Sequence, residues 1–349
     1  MKSISNHRKR VAVVGGGVVG LTTALVLSRE HDITVIAEHV GTSSDSRKAT
    51  AIWHVYLVPE TPEVLGWAQR SLEVLHELAL NEPEAGVELV KGVELFRKGT
   101  AQIPTWSNIP RFFQMLTDSD IEPFNSCNQT GLTENEIAIL KEHPVMWGYQ
   151  IEAPAADMMK YLSWLEQAVR RNGVSFEIRR LESLDEIPDD YDVIINCSGF
   201  GARELASDNS FVPYKGQYFV LRASPSSPRE YVGDDDHPSG MAYMIPRCGE
   251  VMVGGCAEAN VEDLELTLDW TDTMKRAGLY VPWLRSCSPM DQARQPVVGI
   301  RPGRTEGVRL ESDLISARVP IIHNYGHGGS GFSLSWGCAD AVSEIITSI

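Results

Sequence analysis

The chain has 349 residues, 43% of them apolar and 22% charged, the balance of a soluble globular protein with room for two domains. A formal net charge of −16 excludes nucleic acid as a partner, because nothing offsets phosphate repulsion. No apolar run approaches the roughly 20 residues of a membrane span, and six scattered cysteines form neither a metal-ligand spacing nor a disulfide framework.

The chain passes from a polar tail, with HRKR at 7–10, straight into a strand, without the features of a signal peptide. The last three residues do not match the peroxisomal tripeptide, so a cytoplasmic protein with reduced thiols is expected. Residues 10–30, RVAVVGGGVVGLTTALVLSRE, read as a buried strand, a glycine turn and a helix with Leu21, Ala24 and Leu25 on one face. DITVIAEH, at 32–39, is the next strand and closes a βαβ unit. Gly15, Gly17 and Gly20, with Val18 and Val19 between, satisfy G-x-G-x-x-G: a tight turn, close approach of a pyrophosphate, and tight helix–sheet packing. Glu38 ends the following strand, where a carboxylate accepts from both hydroxyls of an adenosine ribose and repels a 2′-phosphate. This combination predicts dinucleotide binding and leaves NAD or FAD open. The Thr/Ser cluster in GTSSDSRKATAIW, 41–53, either donates to a pyrophosphate or caps a helix.

Thr61 and Pro62 start a helix with apolar residues at 64, 67/68, 72, 75 and 78/79. Another runs from about Asp157 through Arg171 and stops at Gly173. Residues 174–184 and 191–201 read as strands, the second ending in a small-residue turn around Ser198 and Gly199 that either approaches a cofactor or simply turns the chain. Short strands at 215–223, 241–247 and 250–259 belong to an antiparallel sheet. Between them, 224–240 is rich in Pro, Ser, Gly and Asp and reads as a lid or connector, with Asp234, Asp235 and Asp236 at its tip. The layout predicts a parallel-sheet domain interrupted by a mostly antiparallel one, with the C-terminus returning to the first.

Arg301 follows an apolar run and precedes Pro302, which restricts its backbone; a guanidinium held so grips a carboxylate through two parallel hydrogen bonds. Arg304 and Arg309 read as surface ion pairs. HNYGHGGSGFSLSWG, 323–337, packs five glycines and two histidines before CADAVSEII, which reads as an amphipathic helix. A glycine-rich helix entrance lets backbone approach closely and suits an anionic or electron-rich ligand; the plain alternative is a flexible loop.

In order, and across nearly the whole chain, these segments resemble the D-amino-acid oxidase family of FAD flavoproteins. The most specific is the final HNYGHGGSGFSLSWGCA; VAVVGGGVVGLTTAL, YDVIINCSGFGA, KGQ, AYMIPR and GIRPGRTEGVRLE support it. The resemblance implies an α/β fold with an FAD-binding Rossmann-like (glutathione-reductase-type) domain over 1–60, 150–210 and 296–349. It adds a mostly antiparallel α+β substrate-binding domain over 61–149 and 211–295. It implies non-covalent FAD, an amino-acid substrate and O2 as partners, no metal, and allows a homodimer.

The resemblance also carries site roles to this chain. Gly15, Gly17, Val18, Val19 and Gly20 match the dinucleotide turn, Glu38 and His39 the ribose contacts, Ser43 and Ser44 the pyrophosphate contacts, and Leu181 an adenine-side backbone contact. Ala49, Thr50, Ala51, Ile52 and Trp53 approach the flavin ring, and Ser198 and Gly199 are further cofactor contacts. Gly328, Gly329, Gly331, Phe332 and Ser333 lie beside the flavin's pyrimidine end, with Ser333 as a donor. Arg301 matches the carboxylate-binding arginine, which also borders the cofactor, Tyr243 a tyrosine supporting the same carboxylate, and the Gly329 carbonyl an acceptor for the substrate amine. His327 reads as structural.

The implied reaction is hydride transfer from the amino-acid Cα to flavin N5, giving a 2-oxo acid, ammonia and H2O2; the alternative is a glycine- or sarcosine-type amine oxidase. Three departures qualify the match. The segment between Asp45 and Trp53 is longer than in mammalian members, the lid tyrosine falls near Ser239 with Tyr231 as a replacement, and Ala257 stands where acidic-substrate members carry arginine. A neutral or basic D-amino acid is therefore expected, with the Asp-rich 234–236 tip as a source of preference for cations.

Overall fold

The computed structural model describes residues 8–313 and 318–349; the polar tail before Arg8 lies outside them. The chain opens with β1 (Arg10–Gly16), α1 (Val18–Leu27) and β2 (Asp32–Val40). Then come α2 (Pro62–Asn81), β3 (Val87–Phe96), β4 (Phe113–Met115), α3 (Asp118–Asn125), α4 (Glu134–Glu142) and β5 (Trp147–Ala156). After α5 (Met158–Arg171) follow β6 (Ser175–Ile178), β7 (Val193–Asn196), α6 (Ala202–Leu205), β8 (Phe211–Arg222) and β9 (Tyr231–Asp234). The last third holds β10 (Ala242–Arg247), β11 (Glu250–Gly254), β12 (Glu258–Ala259), α7 (Trp270–Gly278), β13 (Gln292–Arg304), β14 (Arg309–Asp313), β15 (Ile321–Tyr325) and α8 (Gly331–Ser348).

Two compact units result. The first comprises 1–86, 158–213 and 301–349, the second 87–157 and 214–300. In the first, among the described residues, the sheet order is β14-β15-β7-β1-β2-β6. β1, β2, β6, β7 and β15 run parallel, and β14 is antiparallel at the edge. Ala12, Val14, Ile36, Ile194 and Ile321 pack a core on one face with Leu181, Leu184 and Ile187. No helix among the described residues is long and apolar enough to cross a membrane.

The second unit's sheet has the order β12-β8-β11-β10-β9-β3-β5-β4, with β13 pairing β8. The pairings along that order are antiparallel except for parallel β3–β9. Leu95, Val232, Met244, Val253, Phe219 and Leu221 turn to one face and form a core with Met274, Ala277 and Leu284.

Several boundaries differ from the expectation. Residues 61–86 belong to the first unit because α2 lies against α8: the Gly337 N–H donates to Ser71 Oγ at 3.0 Å. Residues 150–157 stay with the second unit, since β5 pairs with β3 along its whole length. The strand expected over 174–184 ends at Ile178, because Ser183 and Glu186 cap a short turn there. α8 begins at Gly331 rather than at Cys338, despite the low helix propensity of glycine. Residues 224–240 are not all loop, since β9 lies within them. Its Asp234 is fully buried and ion-paired with Arg97, Nε to Oδ2 2.6 Å, so it forms no acidic lid tip.

Candidate functional site

In the first unit, β1 delivers its glycine turn into α1. A Cβ on Gly15 would stand 2.8 Å from the Cys197 carbonyl carbon at the end of β7, so glycine is required by the approach of the two strand ends. Gly17 is the N-cap of α1 and makes no side-chain cap. The Val18 N–H instead donates to Ser46 Oγ at 3.0 Å. Ser46 is the residue that sequence reasoning passed over; its signal was membership of the same Thr/Ser cluster. Ser43 and Ser44 spend their hydroxyl hydrogens locally, on Val40 O (2.7 Å) and Gly41 O (2.6 Å). Glu38 and His39 stand exposed at the C-terminal end of β2.

The segment 49–57 lies across the entrance of α8. Ser333 Oγ accepts from His54 N at 3.0 Å, Ser330 Oγ accepts from Tyr56 N at 2.7 Å, and Gly329 N donates to Tyr56 O at 3.2 Å. Ala51 and Leu57 bound this strap with φ of 53° and 57°, a left-handed conformation that costs about 1–3 kcal/mol at a non-glycine residue. Trp53 is fully buried and donates its indole N–H to Ala68 O at 3.1 Å, so its side chain anchors the strap to α2. Ile52 and Thr50 are half-buried, as is Ala49.

The two halves of the glycine cluster answer to different neighbours. A Cβ on Gly329 would meet Tyr56 Cδ1 at 2.5 Å, and one on Gly328 would stand 3.1 Å from the Leu57 carbonyl carbon, so the strap demands both. Gly331, the first residue of α8, is different: a Cβ there finds Val18 Cγ1 at 3.9 Å and His327 Cβ at 4.0 Å, ordinary contacts. Gly199, φ 58°, has nothing within 4 Å of its would-be Cβ. Ser198 donates its hydroxyl to Asn196 Oδ1 at 2.6 Å. Leu181 is buried in the core cluster, and Phe332 packs edge-to-face on Tyr161 at 5.4 Å.

These features fit a dinucleotide carrying a ring system. Gly331 and Gly199 leave room that the protein does not need, the N-termini of α1 and α8 face the two glycine turns, and the buried His327 Nε2 has no partner among the described residues. Burial pushes His327 down to about 4, so it is uncharged at neutral pH, as a structural histidine would be. Arg301, on β13, has its guanidinium carbon 5.9 Å from the centre of the Tyr56 ring. Arg304 is no surface residue: its side chain is 6% exposed, Nε donates to Asp208 Oδ2 at 2.8 Å, and Tyr325 donates to the same oxygen at 2.9 Å. Arg309 does pair near the surface, with Glu311 at 2.7 Å.

In the second unit, Tyr243 lies on β10 opposite Gly254 of β11 and Gly233 of β9. A Cβ on Gly254 would meet Tyr243 Cζ at 2.5 Å, which explains the glycine. Gln217, of the KGQ segment, is a scaffold: its side chain accepts from Thr267 N at 2.7 Å and donates to Thr267 Oγ1 at 2.7 Å. Ala257 is half-buried just beyond β11.

The profile of the family described as FAD-dependent oxidoreductase (DAO) matches residues 10–345. A D-amino-acid oxidase from Rubrobacter xylanophilus is 35% identical over 96% of this chain and 95% of its own length. A human D-aspartate oxidase is 29% identical over 97% of this chain and 94% of its own. A glycine oxidase from Geobacillus kaustophilus superposes with a TM-score of 0.75 at 18% identity, covering 98% and 95% of the two chains, a likeness of fold. The chain therefore belongs to the DAO family of FAD-dependent oxidoreductases, and FAD is its cofactor.

Proposed function

We propose that this protein catalyses the oxidative deamination of a neutral or basic D-amino acid to the 2-oxo acid, ammonia and H2O2. The observation that carries this reading is Arg301, fixed between an apolar run and Pro302, in a chain whose 35% identical relative is a D-amino-acid oxidase. The Arg301 guanidinium takes the substrate carboxylate through two parallel hydrogen bonds, and the Gly329 carbonyl accepts from the amine. By the resemblance, Tyr243 matches a tyrosine whose hydroxyl supports a substrate carboxylate.

FAD, when bound, accepts the hydride and returns the electrons to O2. The chain's own part is binding and orientation. Fixing the carboxylate and the amine aims the Cα–H bond; as the hydride leaves with its electron pair, the nitrogen lone pair closes C=N, and water hydrolyses the imine. The α8 N-terminus favours negative charge near its first turn. No strong base is required, and His327 supplies none.

Glu38 and His39 are assigned to the adenosine ribose, Val18, Val19 and Ser46 to the pyrophosphate side, and Gly331 and Ser333 to the ring. Cytoplasmic placement and a homodimer belong to the same proposal. The test is a peroxide assay across both enantiomers of the amino acids, with glycine and sarcosine included. Turnover of D-enantiomers supports the reading; turnover of glycine and sarcosine alone replaces it with the amine-oxidase alternative. D-Aspartate is expected to be a poor substrate, because Ala257 offers its side-chain carboxylate no cation.

A further inference from the structure

Three side chains of the second unit share one sheet face. The register pairs Glu94 of β3 with Gly233 of β9, and Gly233 in turn with Tyr243 of β10. Side chains alternate along a strand, so these three positions point away from the face packed by Leu95, Val232 and Met244. Tyr231, two positions before Gly233, points the same way. Gly233 leaves a gap between Glu94 and Tyr243, and the Glu94 carboxyl leans into it: Cδ and Oε1 stand 2.8 and 2.9 Å from where a Cβ on Gly233 would be.

Among the described residues nothing balances that carboxyl. Among the described residues, no cation and no hydrogen-bond donor engages it; burial first, then Asp235 and Asp234, pushes it well above the usual carboxylate range. Asp234 spends its own charge on Arg97. The second observation is Tyr231, 3% exposed, whose hydroxyl also has no partner among the described residues. Burial, with Glu94 next, raises that hydroxyl well above its ordinary value, which places the two groups within electrostatic reach. A half-buried carboxyl and a buried hydroxyl left open side by side form a place where a ligand can satisfy both.

We propose that Glu94, with the Tyr231 hydroxyl beside it, recognises the side-chain end of the substrate and makes D-amino acids with cationic side chains the preferred class. The inference rests on the functional reading above, in which Tyr243 meets the carboxylate end. Two strand spacings separate Glu94 from Tyr243, about 10 Å between Cα positions, a gap suited to a long lysine- or arginine-type stem. An ammonium or guanidinium supplies both the missing charge and a donor for the hydroxyl oxygen.

The test is the ratio of kcat/KM for D-lysine to that for D-methionine, in the FAD-loaded protein and in Glu94→Gln and Tyr231→Phe. The ratio should fall about tenfold or more in Glu94→Gln and in the same direction, by less, in Tyr231→Phe. Raising pH from 6 to 9 should increase the ratio in the parent, as the carboxyl ionises beside Asp234, Asp235, Tyr149 and Tyr231, and leave it flatter in Glu94→Gln. A parent that oxidises D-amino acids while Glu94→Gln keeps its ratio overturns the assignment of Glu94 alone. Should Glu94→Gln fail to fold, an unchanged ratio in Tyr231→Phe overturns it equally. A parent that oxidises no D-amino acid sinks the functional reading itself, and this inference with it.

Discussion

The Arg301 guanidinium carbon sits 5.9 Å from the centre of the Tyr56 ring, on the strap whose backbone also accepts the Gly329 N–H. The ring steadies the cation by its face, so the group proposed to take the substrate carboxylate and the backbone proposed to take its amine are referred to one segment. Arg301→Ala should reduce kcat/KM for D-amino acids by the equivalent of about 2–5 kcal/mol while FAD content stays near that of the parent. Arg301→Lys should restore part of it, because an ammonium provides charge without the fork. Rapid-reaction flavin reduction reads both; parent-like reduction in Arg301→Ala would move the carboxylate elsewhere.

Gly331 and Gly329 make opposite predictions within one loop. Gly331→Ala should leave the apoprotein as stable as the parent or up to about 1 kcal/mol more so, since the added methyl finds only ordinary contacts in the protein. Its affinity for FAD should nevertheless drop, by about tenfold or more. Gly329→Ala should destabilise the apoprotein itself, because its methyl collides with Tyr56. Thermal melts of the flavin-free proteins, followed by FAD titration, separate the two; equal FAD affinity in Gly331→Ala and parent would remove that residue from the cofactor site.

The Asp208 pair gives an acid limb to stability. Burial alone would raise its carboxyl, but hydrogen bonds from Ser210 and Tyr325, with Arg304 alongside, outweigh this and hold it down to about 2. The stabilisation is therefore complete above the ordinary carboxylate value of about 4 and is lost as pH falls through about 2. Asp208→Asn should lower stability at pH 6 by about 3 kcal/mol, because it leaves the buried Arg304 with only the exposed Glu306 as a counter-charge. Between pH 4 and 2 the variant should lose less than the parent; denaturant melts across that range decide it, and parallel curves would count against the assignment.

FAD is expected to be held without a covalent bond, since the residues assigned to its ring are Gly331, Ser333 and the strap rather than a cysteine or a reactive histidine. Acid precipitation of the holoprotein should leave the yellow colour in the supernatant. Flavin retained in the pellet would contradict this.

What was legible in the sequence was what neighbours in sequence decide. The β1 turn and α1 follow from the apolar run and the glycine spacing, and the Thr61-Pro62 start of α2 from capping: Thr61 does accept from Val64 N at 3.3 Å. What was hidden depends on remote partners. β9 is four residues long in a Pro-, Ser- and Asp-rich segment, and its Asp234 is buried only because Arg97, 137 residues earlier, neutralises it. Arg304 read as a surface pair because its buried acceptor, Asp208, lies 96 residues away. Ser43 and Ser44 were legible by position and make local turn bonds, while Ser46, which caps α1, was not singled out. Glu94 sits in an ordinary alternation of apolar and polar residues; only the strand register shows that it faces Tyr243 across a glycine.

β15 pairs with β7 in the middle of the first sheet, and α8 opens at Gly331, so the last strand and helix of the chain complete a fold that its first strand begins. A ribosome releases the G-x-G-x-x-G turn long before the Gly328–Gly331 turn. Until residues 321–349 emerge, β7 is a bare edge and the strap has no Ser330 or Ser333 to close on. If Ser333 and the Gly328–Gly331 turn border the flavin as proposed, a chain cut short before β15 should carry the dinucleotide signature without holding FAD.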